Sequence, residues 1–343
     1  MKRRKKIISV RQKEPTIAEY TSKFSKQRIA MGQLSPLTIR RDRYEFIRIE
    51  HYFGKIALSK LNAQTINTVY AQIRINQELS VDAVYKLHKK LKQVMQQAVR
   101  EQLITHNPCI PIKLLPQKQN IRNGFSQKEA LRLAVILRGC KQSSHVVAVW
   151  LALVTGMRRG EILGLTWRYV DLDGKRIFIA RQYAQDLTLR QPKSSKANRW
   201  ISIDDSTVAY LASWQKRQNT RLNDLQLVQK ADTPVISSKC GSFIDPSVFS
   251  RWRRGFFAAN GFGSFTDKTA SVLKGYQGLN LHDLRHTQAT LLIGIGTDIK
   301  TVQHRLGHSN ISTTVDIYAH ALVNNDIKAA SQIGELFNLS APD

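Results

Sequence analysis

The longest apolar stretch in the sequence, Val146–Val154, contains nine consecutive residues without a polar side chain. A membrane-spanning helix needs about 20 apolar residues, so this stretch is too short to cross a bilayer. The apolar pattern continues to Leu165 and is interrupted at Gly156. A helix that is apolar on all sides must be enclosed by other elements. The pattern therefore predicts a buried helix, broken at Gly156, at the centre of a globular domain.

The chain is basic along its whole length. Its 343 residues include 53 Lys and Arg against 25 Asp and Glu, a formal charge of +28. Residues 1–125 hold 25 basic and 8 acidic side chains, and residues 126–343 hold 28 and 17. This balance favours a polyanionic partner, most simply nucleic acid, over a merely basic protein.

The ends and the cysteines exclude other classes. The charged N-terminus has no following apolar segment and does not resemble a secretory signal. Cys109, Cys140 and Cys240 are odd in number and widely spaced, a pattern that indicates reduced cysteines and neither a disulfide framework nor a CxxC metal site. Together these features predict a cytoplasmic protein without membrane association.

The N-terminal part reads as a helical bundle behind a basic arm. We expect a disordered arm at 1–13, a bundle at 14–109, and a Pro-containing linker without acidic residues at 110–125. Thr16 with Glu19 predicts a capping box. The predicted helices begin at Thr16 and at Ser35-Pro36 and include Leu61–Ile75 and Val81–Arg100.

The last predicted helix of this bundle combines an apolar stripe with a cationic face. Its lysines either contact DNA phosphates or only keep the bundle soluble, and the basic excess favours contact. The candidate DNA-binding residues are Arg40, Arg41, Lys86, Lys89 and Lys90 in this bundle and Lys196 in the second domain.

Residues 126–343 predict a second domain that is mainly α with a small β-sheet. Ser126 and Glu129 form another capping box before a helix to Gly139. Strands are predicted at Lys175–Gln182 and Arg199–Ile203, joined through a turn at 192–198. Further helices are expected at about 206–225, 246–260, 283–295, 299–306, 312–322 and 326–337.

Common catalytic signatures are missing from the sequence. It contains no P-loop, no GxSxG, no HExxH and no acidic cluster suited to two metal ions. The unusual feature is Thr155-Gly-Met-Arg-Arg-Gly-Glu161, which places two arginines at a break in an apolar helix. Glu161 can pair with Arg158 on one helical face. The pair is either purely structural or aims Arg158 at an anion.

Two further clusters lie near the C-terminus. His282 and Arg285 share one side of a predicted helix start, where free N–H groups favour a phosphate. Leu306-Gly-His308 precedes Tyr318, which alone would more often be a core residue than a nucleophile. The i, i+4 pairs His282/His286 and His304/His308 would also suit zinc, but neighbouring arginines disfavour a second cation.

Together these motifs resemble a known family. Residues 155–173, TGMRRGEILGLTWRYVDLD, and 281–320, LHDLRHTQATLLIGIGTDIKTVQHRLGHSNISTTVDIYAH, are similar to the two signature boxes of the tyrosine recombinases, in particular phage and mobile-element integrases. The basic bundle is similar to the family's core-type DNA-binding domain, with less specific motifs. The resemblance covers nearly the whole chain.

The resemblance assigns a phosphate-binding set. It implies that Arg158 and Arg285 clamp the scissile phosphate, that His308 hydrogen-bonds it, and that Glu161 orients Arg158. It also implies that Ser202 stands where the family's strand often has proline.

It also assigns proton transfer and the nucleophile. Lys193 would protonate the leaving 5′-oxygen, with Lys196 as the alternative if the hairpin register is shifted. His282 would transfer a proton, and Tyr318 would form a 3′-phosphotyrosyl link. Such chemistry needs no metal and no cofactor.

The implied function is site-specific recombination that integrates or excises a phage or other mobile element. The implied partners are double-stranded DNA, three further copies in a DNA-bound homotetramer, and a directionality factor or DNA-bending protein. The protein would be bacterial or phage-encoded and nucleoid-associated when bound. Many such integrases carry a folded arm-site domain, where this sequence has a basic segment of about 13 residues. The alternatives are a type IB topoisomerase-like enzyme and a non-catalytic DNA-binding protein on the same scaffold.

Overall fold

The computed structural model describes residues 14–32, 34–114, 125–191, 198–267 and 274–307. Contacts divide the chain into two compact units, residues 1–120 and 121–343. The fold is mainly α-helical with small antiparallel sheets, as the sequence predicts. No helix within the described ranges is both long and apolar enough to cross a membrane.

The N-terminal unit is a bundle whose helices begin at capping residues. Thr16 forms the predicted capping box with Glu19, and Ser35, Asn62 and Ser80 each accept a backbone N–H. The described helices are α1 Ile17–Ala30, α2 Pro36–Phe53, α3 Ala63–Ile75 and α4 Val81–Arg100, with a 3₁₀ turn at Leu58–Lys60.

The longest helix of this unit, α4, packs its apolar stripe into the bundle core. The four stripe residues that the spacing predicts are all buried: Val84, Leu87, Leu91 and Val94. Ile112 and Leu114 also pack against this core, although their composition placed them in the linker. Apolar side chains there add buried area, so the bundle extends beyond Cys109.

The second unit holds seven described helices. Ser126 and Glu129 form the second predicted capping box. The buried apolar stretch forms a helix that ends where Gly156 adopts a left-handed conformation, as the sequence predicts. The helices are α5 Gln127–Gly139, α6 Ser144–Thr155, α7 Arg159–Leu163, α8 Asp205–Asn223, α9 Pro246–Ala259, α10 Leu281–Gly294 and α11 Ile299–Leu306.

The described ranges also contain three antiparallel sheets. The strands are β1 Val170–Asp171, β2 Arg176–Ile179, β3 Gln182–Tyr183, β4 Leu189–Arg190, β5 Arg199–Ser202, β6 Gly263–Asp267 and β7 Lys274–Gly278. The first sheet has the order β1-β2-β5, with Ile177 opposite Ile201. The β3-β4 and β6-β7 hairpins were not predicted, because strands this short depend on their partner more than on their own pattern.

One core holds the second unit together. Residues from α5 to α10 and from β2 and β5 surround α6, and Phe125 joins them although it was assigned to the linker. A smaller cluster, formed by Ala289, Ile293, Val302 and Leu306, packs α11 against α10. This packing brings the C-terminal ends of α6 and α11 towards the same arginine side chains.

Truncation of Leu151 on α6 should test the central position of this helix. Leu151 is fully buried. Leu151→Ala should lower the free energy of unfolding by about 2–5 kcal/mol because it leaves a cavity. Urea unfolding followed by tryptophan fluorescence reports on this unit, since all five tryptophans lie between Trp150 and Trp252.

Leu131→Ala on α5 is the matched control, because Leu131 is 61% exposed. It should change the free energy by at most about 0.5 kcal/mol. Equal losses in both variants would contradict a core centred on α6.

Candidate active site

Arg158 lies in the turn between α6 and α7. Its backbone N–H donates to Glu161 Oε2 at 2.9 Å, and its Nη1 donates to Glu161 Oε1 at 2.7 Å. The Arg158 side chain is 37% exposed, whereas that of Glu161 is 3% exposed. A buried carboxylate therefore holds a guanidinium that still reaches solvent.

Gly156 shapes this turn by its backbone conformation. Its φ is +66°, and a Cβ there would lie 2.3 Å from Gln288 Oε1 and 2.6 Å from Leu306 Cδ2. Glycine is the residue that adopts this conformation without a steric penalty. The same residue offers its carbonyl to Arg285, whose Nη1 donates to it at 2.9 Å.

Arg285 projects from α10 into the protein interior and is only 1% exposed. Its Nη2 donates to the carbonyl of Leu306. The ends of α6 and α11 are thus bound by one guanidinium. The Arg285 charge is therefore enclosed in a water-poor position between these two helix ends.

Three consecutive carbonyls at the end of α11 accept hydrogen bonds from three different arginines. Arg199 Nε donates to Arg305 O at 2.7 Å, Arg285 Nη2 to Leu306 O, and Arg158 Nη2 to Gly307 O at 2.7 Å. The last carbonyls of a helix lack intrahelical partners and carry partial negative charge. These carbonyls therefore fix the positions of the three guanidinium groups.

Arg199, at the start of β5, is a site residue that the sequence analysis missed. Its side chain is fully buried, and its Nη1 and Nη2 donate to Glu161 Oε1 and Oε2 at 3.2 and 3.0 Å. Strand alternation places Arg199 on the same buried face as Ile201. A basic residue at an inward strand position predicts a buried acidic partner, and this signal could have found it.

The Glu161 carboxylate is ionised in this setting. Burial alone raises the pKa of Glu161, but the hydrogen bond and charge of Arg199, followed by Arg158, outweigh it and lower the pKa. The stability from these ion pairs is thus complete above the ordinary carboxyl pKa of 4.5 and is lost as the pH falls through the lowered value.

The two α10 histidines lie edge to face, with ring centroids 4.6 Å apart. His282 is exposed and His286 is half-buried. Burial, followed by the charge of Arg285, lowers the pKa of His286 against the opposing charge of Asp283. Within the described ranges, no group of three His, Cys, Asp or Glu side chains could hold a metal ion.

The start of α10 differs from the expected open phosphate site. Asn280 accepts the N–H of His282 at 2.8 Å, and the Asp283 carboxylate accepts the N–H of Asn280 at 2.7 Å. These contacts occupy the N–H groups of Asn280 and His282, and the buried Asp283 carboxylate places a negative charge beside them. This helix start is therefore less open to an anion than expected.

Four predicted residues lie outside the described ranges: Lys193, Lys196, His308 and Tyr318. The structure describes residues close to two of these positions. β5 begins at Arg199, three residues after Lys196, and Gly307, the C-cap of α11, is the residue before His308.

The candidate DNA-binding residues of the N-terminal unit differ in exposure. Arg40, Arg41, Lys86 and Lys89 are exposed. Lys90 differs from the prediction, because its Nζ lies 2.6 Å from Asp42 Oδ1 and its side chain is 15% exposed. This ion pair commits Lys90 to the bundle, since separating a poorly exposed pair is costly.

A family comparison covers the part of the chain that contains these motifs. The family model described as "Phage integrase family" matches residues 124–325. The chain belongs to the phage integrase family. It is a tyrosine-type site-specific DNA recombinase, as the signature boxes imply.

Curated relatives of this integrase-family chain are named as integrases or tyrosine recombinases. The ICEBs1 integrase of Bacillus subtilis is 26% identical over 84% of this chain and 74% of the relative. A XerC-like tyrosine recombinase of Caldanaerobacter subterraneus is 27% identical over 85% and 78%, respectively. These relatives do not favour the topoisomerase-like or non-catalytic alternatives.

Solved structures of integrases share the fold of this recombinase. A Tn1549 transposon integrase in complex with a circular intermediate DNA superposes with a TM-score of 0.74, at 18% identity, over 93% of this chain and 99% of that one. A λ integrase tetramer bound to a Holliday junction gives a TM-score of 0.61 at 16% identity, over 89% and 78%. At these identities the likeness concerns the fold.

Substitution of Gly307 should disturb the arginine cluster. Gly307 has φ +67°, and a Cβ there would lie 2.9 Å from Arg199 Nη1. Gly307→Ala should lower the free energy of unfolding by about 1–3 kcal/mol, the typical cost of a strained backbone. It should also displace the Arg199 guanidinium.

Gly296→Ala separates these two effects, because Gly296 has φ +93° and a Cβ added there would have no neighbouring atom within 4 Å. It retains only the backbone penalty. Urea unfolding should show a larger loss for Gly307→Ala, and equal losses would contradict close packing on Arg199.

Proposed function

We propose that this recombinase cuts DNA through Tyr318 and thereby integrates or excises a phage or other mobile element. The Tyr318 oxygen bonds to the scissile phosphorus, and the bond from phosphorus to the 5′-oxygen breaks. The 3′ end stays on the tyrosine, and the leaving 5′-oxygen receives a proton. Attack by a 5′-hydroxyl of another strand reverses the step and joins the strands.

The observation that carries this proposal is the arginine cluster at the ends of α6 and α11. Arg158 presents an exposed guanidinium, while Arg285 contributes charge from beneath. One buried carboxylate, Glu161, balances only part of this positive charge. Preorganised donors of this kind stabilise the charge that develops on a phosphate in the transition state.

The remaining roles complete the reaction. Lys193, with Lys196 as the alternative, protonates the leaving 5′-oxygen, a general-acid contribution of about 10²–10⁴-fold. The exposed ring of His282 accepts the proton that the Tyr318 hydroxyl gives up as its oxygen bonds to phosphorus. His308 follows Gly307, whose carbonyl binds Arg158, and hydrogen-bonds the phosphate.

The N-terminal unit binds DNA through its basic surface. Arg40, Arg41, Lys86 and Lys89 contact phosphates, and a cleft of about 490 Å³ between α1 and α4 adds further basic and amide side chains. The residues that line this cleft are Phe24, Arg28, Lys89, Lys92, Gln93, Gln96, Gln97 and Arg100. Cations in such number neutralise a phosphate backbone.

The proposed partners are double-stranded recombination sites and three further copies of the chain. Strand exchange between two duplexes needs four active sites, and a solved λ integrase assembly is a tetramer on a Holliday junction. A directionality factor or DNA-bending protein would select integration or excision. We place the protein in the cytoplasm, associated with the nucleoid when it is bound to DNA.

Replacement of the proposed nucleophile tests the reaction class. Tyr318→Phe should abolish the covalent protein–DNA adduct because it removes the attacking oxygen, and DNA binding should remain. The measurement uses nicked duplexes from the element ends, which trap the adduct for denaturing gel electrophoresis, with EDTA present throughout.

An adduct that persists in Tyr318→Phe would identify another nucleophile. An adduct that EDTA abolishes would contradict metal-free chemistry. Loss of both DNA binding and thermal stability would assign Tyr318 a structural role.

Two neighbouring lysines on α4 test the DNA-binding surface. Lys89→Met should reduce the magnitude of the slope of log binding constant against log salt concentration by about 1, because one phosphate contact is lost. Lys90→Met should leave that slope unchanged and instead lower the melting temperature, since Asp42 loses a partner. Unchanged slopes in both variants would contradict phosphate contact by Lys89.

A further inference from the structure

Arg199 is enclosed by protein, like Arg285 and unlike the partly exposed Arg158. Its side chain has no exposed surface, and its three nitrogens bind Glu161 and the carbonyl of Arg305. A buried guanidinium is costly unless its donors are satisfied with good geometry. Because it is enclosed by protein groups, Arg199 does not reach a DNA phosphate in this conformation.

Arg199 and Arg158 share the same carboxylate. Glu161 Oε1 accepts from both guanidinium groups, and Oε2 accepts from Arg199 Nη2 and from the backbone N–H of Arg158. Arg199 therefore fixes the carboxylate that fixes Arg158. It also neutralises part of the Glu161 charge, so more of the positive potential at Arg158 remains for an anion.

Arg199 also supports the turn that ends α11. Its Nε holds the Arg305 carbonyl at 2.7 Å, and the backbone of Gly307 lies against its guanidinium. The Gly307 carbonyl in turn accepts from Arg158 Nη2. Both anchors of the Arg158 side chain, Glu161 and Gly307, thus contact Arg199.

We infer that Arg199 is a positioning residue for DNA cleavage, which sets the Arg158 guanidinium through Glu161 and the α11 turn without touching DNA. This inference rests on the proposed role of Arg158. It differs from a purely structural role because it requires the effect of Arg199 on cleavage to pass through Arg158.

The test compares Arg199→Met and Arg199→Lys in the full chain. Methionine fills similar space without a donor, and lysine keeps the charge but loses the planar fork. Single-turnover adduct formation on nicked duplexes is measured against DNA concentration, which separates the cleavage rate from the half-saturating concentration.

Arg199→Met should slow cleavage by about 10–100-fold, since a misplacement of about 1 Å can cost that much. The half-saturating DNA concentration should stay within about twofold, because Arg199 makes no DNA contact. Arg199→Lys should recover part of the lost rate. Arg176→Met, on the adjacent strand β2 with a half-exposed side chain, is the control and should cleave normally.

A double-mutant cycle with Arg158→Lys decides the route. If Arg199 acts through Arg158, adding Arg199→Met to Arg158→Lys should cause little further loss. Three results would overturn the inference. The double variant could lose cleavage rate by the product of the two single-variant losses, Arg199→Met could cleave at an unchanged rate, or both Arg199 variants could unfold. Absence of a Tyr318-dependent adduct in the unmodified protein would instead overturn the proposed function, and the inference with it.

Discussion

The site depends on the binding of helix-terminal carbonyls by guanidinium groups. The C-terminal ends of α6 and α11 carry acceptors that their own helices leave unsatisfied, and arginines from three other segments supply the donors. These arginines would repel one another in isolation. Partial negative charge on the carbonyls and the full charge of Glu161 make their close approach possible.

The local features of the fold could be predicted from the sequence. Capping residues such as Thr16 and Ser126 define helix starts through hydrogen bonds to residues three positions away. The bounds of α4 and α11 also agree with the prediction, because their apolar residues recur with helical spacing. Gly156 was recognised as a break in the apolar helix, since a glycine within such a pattern indicates a change of backbone conformation.

The features that sequence analysis missed depend on distant partners. The β6-β7 hairpin depends on cross-strand pairing. Lys90 was assigned to a DNA-binding face because its partner Asp42 lies on α2, far away in the chain. Arg199 was treated only as part of a strand, although Arg158, Glu161 and Arg285 were recognised from their motifs. Spacing could not show which arginine binds the one carboxylate and which binds each of the four carbonyls.

The anchoring of the arginines has a thermodynamic consequence for substrate binding. A free arginine side chain carries about 2 kcal/mol of rotamer entropy, which an anion would have to restrict on binding. In this chain, folding already restricts the guanidinium groups of Arg158, Arg199 and Arg285 through protein acceptors. Under the proposed function, a phosphodiester that reaches Arg158 would meet a donor whose reorganisation is largely complete, so more of its binding energy would be available for the reaction itself.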